Sequence, residues 1–456
     1  MADFNALSNE LRILIIGHIN DLPTTAESDD ECSVSECPVD PNYRLPKVNT
    51  SLLHLSRVNH NLHTLVEPYL FRNVILRNSV ESGDSVGLIA TSDRAKYVRR
   101  LGFVGTSVIP SYPPEYRRTY ELRDVELPAT VRQILSNLDC FPALEGVDVW
   151  FALKQDSESG LREYEGGYFS FYDVFKYENP RKPFLLDDVF LALAYNQPKV
   201  VKELKVYNFI PDFHQGLCHH ESHAFLGQLS SFGMQLCADW QEVRKYGEYT
   251  EEAVDLLWGR LHNMTHLSIA AGPQGGLLGS KPLLYLADAP LPNLTSIAFD
   301  YIWVGDDLLN TLLEHTGTLR SVRLDHVFVP RLSRTCAGDY IHTTWAEFFG
   351  KLDNPSSSFS SLIDFEVLCT GDWNGLAMET GKQQRARDKE RQRLLGEGTP
   401  ELRYCLENNL PSGWYTEFDI KEQEDPGCVI DASEDRLAYD RFMETVKSNR
   451  ARLGIA

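Results

Sequence analysis

The densest group of potential metal ligands in this sequence is the run CHHESH, which places Cys218, His219, His220 and His223 within six residues. Thiol and imidazole together suggest zinc chemistry. The spacing is not the H-E-x-x-H of a metalloprotease helix, however, and adjacent side chains on a regular element cannot all aim at one ion. The stretch AAGPQGGLLGSK carries Gly272, Gly275, Gly276, Gly279 and Lys281, residue types that cradle phosphate. It has neither the G-x-x-x-x-G-K-[ST] nor the G-x-G-x-x-G spacing and reads as a loop after a strand ending near Ala271. Cys32 and Cys37, with four residues between them, have no two further ligands nearby. A kinase signature and a zinc-protease helix are both missing from the sequence. The expectation is a non-enzymatic protein with no catalytic residue, metal or cofactor.

Composition points the same way. The chain has 456 residues, 43% hydrophobic and 24% charged, which suits folded globular protein and allows several domains or one module joined to a repeat array. Its 65 acidic against 44 basic residues, a formal charge of −21, would repel a phosphate backbone or an anionic membrane, so a protein partner is expected, not nucleic acid or membrane. No apolar run approaches the roughly 18–20 residues that span a bilayer. The start MADFNALSNELRILIIGHI lacks a basic n-region and a small-residue cleavage site, which predicts a cytoplasmic or nuclear protein. Nine scattered cysteines suggest buried thiols, not a disulfide framework. The sequons at Asn49, Asn263 and Asn293 are then chance matches whose hydroxyls serve turns.

The elements that would position a binding surface begin near the N-terminus. Leu7, Leu11, Leu14, Ile15 and Ile19 collect on one side of a helix with Ser8 or Asn9 as its cap. A second helix, capped by Asn49, Thr50 or Ser51, carries Leu52, Leu53, Leu55, Val58, Leu62 and Leu65; Pro68 begins its exit, and FRNVIL reads as a short strand. Between the helices the insert at about 21–47, rich in Asp, Glu, Ser and Pro, has too few apolar residues for a core.

The order of residues here resembles an F-box. Leu7, Glu10, Leu11, Ile15 and Ile19 match its first helix, and Leu52, Leu53, Ser56, Val58 and YLFRNVIL match the rest, about 70 residues in all. Ser8 stands where the family usually has proline, and Leu62 where it often has tryptophan. The resemblance implies docking on a Skp-type adaptor of cullin-based ubiquitin ligases, with Leu7, Leu11, Ile15, Leu53, Val58 and Leu62 contributing contacts.

From about residue 95 to 375 an apolar pattern i, i+3, i+5 recurs, the last two positions alternating as in a half-buried strand. Its seven instances are Val98, Leu101, Phe103; Leu144, Val147, Val149; Val201, Leu204, Val206; Met264, Leu267, Ile269; Leu294, Ile297, Phe299; Leu319, Val322, Leu324; and Leu362, Phe365, Val367. Helical candidates lie between them, including TVRQILSNL, FLLDDVFLALAY, AFLGQLSSF, EEAVDLLWGRL, DDLLNTLLEH and TTWAEFFGKL. Pro142 and Pro292 mark turns just ahead of two strands. Successive strands stand 46, 57, 63, 30, 25 and 43 residues apart, against about 20 to 29 for a regular leucine-rich repeat. The pattern is similar to F-box proteins with leucine-rich repeats, the kind abundant in fungi.

The expected fold is therefore α/β: a helical F-box at about 1–78, an irregular leucine-rich-repeat-like solenoid at about 95–375, and a charged extension or cap at 376–456. Residues flanking the inward apolar positions would face the concave side, which nominates Asp148, Trp150, Lys205, Tyr207, Asp300, Arg323, Asp325 and Glu366 as substrate contacts. Trp150 and Tyr207 are the expected aromatic anchors. Together these readings predict the substrate receptor of a Skp-cullin-F-box ubiquitin ligase, with a non-catalytic repeat scaffold as the alternative.

Overall fold

The computed structural model describes residues 11, 15, 16, 50–109, 127–155, 185–196, 201–209, 215–236, 257–270, 286, 291–300, 302, 304–325, 327–330, 333–334, 340–341, 344–354, 359–368, 402–405 and 432–455. The chain divides into two compact units. The first comprises Met1–Tyr168, Lys176–Val206 and His214–Phe225, and the second comprises the remainder.

The first unit carries a pair of short helices, α1 (Thr50–Ser56) and α2 (His60–Leu70). The sequence suggests one helix here. Asn59 divides it, because its extended backbone ends one helix while its side-chain oxygen accepts the Leu62 N–H and starts the next. Pro68 lies inside the last turn of α2, which continues to Leu70 instead of ending at the proline. Ile16, Leu52 and Val66 close a small core against which Leu55, Leu65, Tyr69 and Leu70 pack. Leu7 and the insert at 21–47 lie outside the described residues.

Two residues after α2 the chain enters β1 (Asn73–Arg77), followed by α3 (Val80–Ala90), β2 (Arg100–Ile109), α4 (Ala129–Leu135), β3 (Gly146–Gln155), α5 (Leu185–Ala194), β4 (Glu203–Phe209) and α6 (His220–Gly227). The second unit contains β5 (Ser231–Leu236), β6 (His266–Ala270), β7 (Ser296–Asp300), α7 (Asp306–Glu314), β8 (Ser321–Asp325), α8 (Trp345–Leu352), β9 (Asp364–Leu368) and α9 (Ala432–Arg452). These nine strands form a parallel sheet in unbroken sequence order.

All the apolar triplets picked out by periodicity are buried, and their side chains stack in register. Leu101 and Phe103 lie beside Val147 and Val149. In the second unit Leu267 and Ile269 lie beside Ile297 and Phe299, which lie beside Val322 and Leu324, which lie beside Phe365 and Val367. Seven of the nine strands also start alike. Two consecutive N–H groups, such as those of Thr295 and Ser296, donate to one carbonyl at the start of the preceding strand, here that of Thr265 just ahead of β6. The same arrangement recurs at Arg72, Arg99, Glu145, Ser230, Thr295 and Arg320.

The structure adds two members to the series, Val74 with Leu76 on β1 and Phe232 with Met234 on β5, both in register with their neighbours. The second corrects the helical reading of AFLGQLSSF. α6 stops at Gly227, where a Cβ would come within 2.6 Å of the His262 ring, and a strand follows from Ser231. The apparent step of 63 residues thereby resolves into 28 and 35, from Val206 to Met234 and on to Ile269. In EEAVDLLWGRL, the described part is a single 3₁₀ turn at Trp258–Arg260.

The sequons have a structural role in the stacking. Asn263 Nδ2 donates to the Gly227 carbonyl and Asn293 Nδ2 to that of His262, while Thr265 and Thr295 hydroxyls donate to the Ser230 and Thr265 carbonyls. Each Asn-x-Thr therefore ties one repeat to the previous one.

Helices cover the sheet in the same succession: α3 packs on α4 and α4 on α5, and in the second unit α7 packs on α8 and α8 on α9. α9 covers the end of the array. Phe442 stacks on Phe349 and meets Phe359 and Phe365 edge-on, and Asn449 donates to the carbonyls of Phe359 and Leu362. A stacked sheet needs such a cover, because its last strand would otherwise present an open apolar face and edge.

Candidate functional site on the outward sheet face

Because side chains alternate along a strand, the residues between the buried apolar positions project from the opposite face of the sheet. In the first unit the middle of that face is occupied by the protein's own contacts. Arg100 makes a bidentate pair with Asp148, 2.9 Å from Nε to Oδ2 and 2.5 Å from Nη2 to Oδ1, and a further bond of 2.7 Å to Glu203. Lys205 completes the chain, 2.9 Å from Glu203. The hydrogen bond to Asp148 holds the Arg100 pKa above its ordinary value despite burial. For Glu203, burial opposes ionisation, but the hydrogen bonds from Arg100 and Lys205 outweigh it and hold the carboxyl below its ordinary value.

These contacts correct several expectations. Trp150 is not an exposed anchor: it is 2% exposed, its ring resting over Gly102 on the adjacent strand. Asp148 is buried in its pairing with Arg100 and is not displayed to a partner. Lys205 is engaged by Glu203 on its own strand, and Tyr207 is half-buried. Arg100 and Glu203 escaped the sequence reading because it considered only the positions after each inward apolar residue. The positions just before Leu101 and Leu204 share the same face by the same period of two, and that signal was available.

In the second unit the four remaining nominated residues come together. Asp300 stands in register with Asp325, and Arg323 in register with Glu366. Arg323 Nη2 lies 3.3 Å from Asp325 Oδ2. Arg323 and Glu366 are exposed, Asp300 is half-buried and Asp325 is buried. Beside them Ser268 is in register with Ala298, and Ala298 with Arg323, a low floor next to the charged side chains. His266 and Ser268 are exposed, and Asp364 is paired with Arg450.

A second surface lies on the N-terminal helical segment. Val58 is 65% exposed, Leu11 48% and Ile15 37%, while Leu53 is half-buried. Leu62 differs: at 3% exposure, in the first turn of α2 and facing inward, it is spent on the protein's own packing and is not presented to a partner.

No catalytic constellation accompanies these surfaces among the described residues. His219 and His220 project into solvent, with His220 Nδ1 3.1 Å from Glu221, and among the described residues no three His, Cys, Asp or Glu side chains gather as a ligand set. Burial, with the Asp139 charge, pushes the Cys140 thiol up to about 11, opposite to the direction that activates a nucleophile. No described helix is long and apolar enough to cross a membrane. AAGPQGGLLGSK beyond Ala270 and the Cys32–Cys37 pair lie outside the described residues. Comparison of the sequence with protein-family models and with curated proteins found no match to either.

Proposed function

We propose that this chain is the substrate-recognition subunit of a Skp-cullin-F-box ubiquitin ligase, its N-terminal helices binding the Skp-type adaptor and its leucine-rich-repeat-like sheet holding a protein substrate. The observation that carries the reading is the division of labour within the helical segment. Ile16, Leu52 and Val66 satisfy the internal core, yet Leu11, Ile15 and Val58 remain in solvent. Apolar side chains left outside a closed core, at positions that resemble the contact residues of an F-box, suit a partner surface. The unbroken parallel order and the recurring strand starts support the repeat part of the reading.

The chain would act by proximity. Holding a substrate beside a cullin-bound conjugating enzyme raises the effective concentration of the substrate lysine without any covalent step by this chain. The test is co-purification of the full chain with the Skp-type adaptor, beside Leu11→Asp/Val58→Asp. Both changes fall at exposed positions, so the fold should survive while charge on the contact face abolishes binding. A folded wild type that ignores the adaptor overturns the proposal and leaves a non-catalytic repeat scaffold.

A further inference from the structure

We infer that the free edge of β1 is a strand-addition site for an extended, acidic segment of a partner protein. The inference goes beyond the substrate-receptor reading and uses none of the adaptor-contact or substrate-contact residues of that reading.

β1 is the first strand of the sheet and is hydrogen-bonded on one side alone, to β2. In a parallel strand the N–H and C=O of one residue point to the same side, and the side alternates from residue to residue. The Arg72 carbonyl accepts from Arg99 and Arg100, and the Asn78 N–H donates to Val104, so Arg72, Val74, Leu76 and Asn78 turn their backbone groups toward β2. Asn73, Ile75 and Arg77 turn theirs the other way. At Arg77 both groups are used, the N–H donating to Ser82 Oγ at 2.8 Å and the carbonyl accepting the Ser79 N–H at 2.7 Å. Those of Asn73 and Ile75 meet no described group. Two donors and two acceptors are thereby offered along the edge, the groups with which an incoming extended chain pairs.

Side chains and charge specify the occupant. Val74 and Leu76 are buried, which puts Asn73, Ile75 and Arg77 on the outward side. Asn73 and Arg77 are exposed, and Ile75 is half-buried, in register with Gly102 beneath the Trp150 ring. Arg72 and Arg77 stand exposed at the two ends of the edge and neither is paired with a carboxylate. Other arginines of the same unit are paired: Arg94 with Glu67, Arg99 with Glu145 and Arg100 with Asp148. A segment with an aspartate or glutamate toward each end and a β-branched residue opposite Ile75 complements this row. A second copy of β1 does not, because pairing two such edges sets like charges together.

The test uses the full chain and two fluorescent twelve-residue peptides, one built from threonine, valine and glutamate in alternation, the other with lysine in place of glutamate. Binding is read by anisotropy at about 0.15 M salt, where the repulsion of the −21 chain is screened beyond about 8 Å. The glutamate peptide is expected to bind and the lysine peptide not to. N-methylation of the glutamate peptide at every second residue, tried in each of the two frames, should abolish binding in one frame and spare it in the other, because only one edge of the peptide faces β1. Arg77→Gln should weaken binding about threefold, the size of an exposed ion pair. Asn73→Pro, at the first residue of an edge strand where proline is tolerated, should abolish it. Arg320→Gln/Arg441→Gln, which removes two exposed arginines of the second unit, should leave it unchanged. No binding of the glutamate peptide, equal binding of both peptides, binding retained in both methylation frames, or equal loss in the Arg320/Arg441 variant overturns the inference. So does a concentration-dependent dimer that Asn73→Pro dissolves, since a second copy would then hold the edge. Because no adaptor is present, these outcomes are independent of whether the N-terminal helices bind one.

Discussion

The indole of Trp150 lies across Gly102 of the neighbouring strand so closely that a Cβ at position 102 would stand 2.9 Å from ring carbon Cζ3. The two residues are 48 apart in sequence, and each explains the other. The glycine makes the hollow, and the tryptophan fills it and covers the outward side of β2 there.

Gly102→Ala should therefore destabilise the protein by about 1–3 kcal/mol through overpacking, and Trp150→Ala by about 3–5 kcal/mol through the void it leaves. Urea denaturation of both single variants and the double variant checks this. In the double variant the alanine methyl enters space the ring has vacated, so the combined cost should fall short of the sum.

The Arg100 network predicts a specific dependence on acidity. The folded pKa of Glu203 lies below its ordinary value, so the unfolded chain binds more protons. The stability Glu203 contributes is present above about pH 4.5 and is lost as pH falls through the lower folded value. In Arg100→Gln the carboxyl keeps its burial but loses its strongest partner. That variant should be less stable at pH 7 and should lose less on acidification below pH 4.5. His315 works in the same direction in a higher window. Burial depresses its pKa, and Nε2 has no hydrogen-bond partner, so its contribution is present above pH 6.5 and is lost as pH falls below it. Denaturation midpoints against pH should show both declines, the second reduced in His315→Gln.

The cover over the last strand gives a third prediction. Phe442 meets the rings of Phe349, Phe359 and Phe365, and Asp435 accepts the Ala346 N–H at the start of α8, where a negative charge is favoured. Phe442→Ala should cost about 3–5 kcal/mol, and its effect should be local. Hydrogen exchange is expected to quicken in α8 and β9 while β1 to β3 keep their protection. Uniform acceleration along the sheet would contradict this picture.

Much of the sheet was legible in the sequence because its signal is local. Inward apolar residues recur every second position within five residues, and turn residues mark where the strand begins, as in LPNLTSIAFD with Pro292 ahead of β7. β5 carries the same pattern in Leu229, Phe232 and Met234, all buried, but AFLGQLSSF also reads as one amphipathic helix, and only the structure shows that helix ending at Gly227. The split of α1 from α2 was missed because Asn59 serves as a cap only once its backbone is extended.

By itself, then, the sequence determined eight of the nine sheet strands, which of their side chains turn inward and which of the N-terminal apolar residues were candidates for a partner. The tertiary structure alone decided which outward residues stay open. Asp148 and Trp150 are closed off by Arg100 and Gly102, 48 residues away along the chain, and Arg100 reaches Glu203 across 103 residues. Asp300, Arg323, Asp325 and Glu366 gather because three strands stack in register. Alternation along a strand is a property of one segment. Neighbours across strands depend on register and on the length of the connections between strands, which no local pattern encodes.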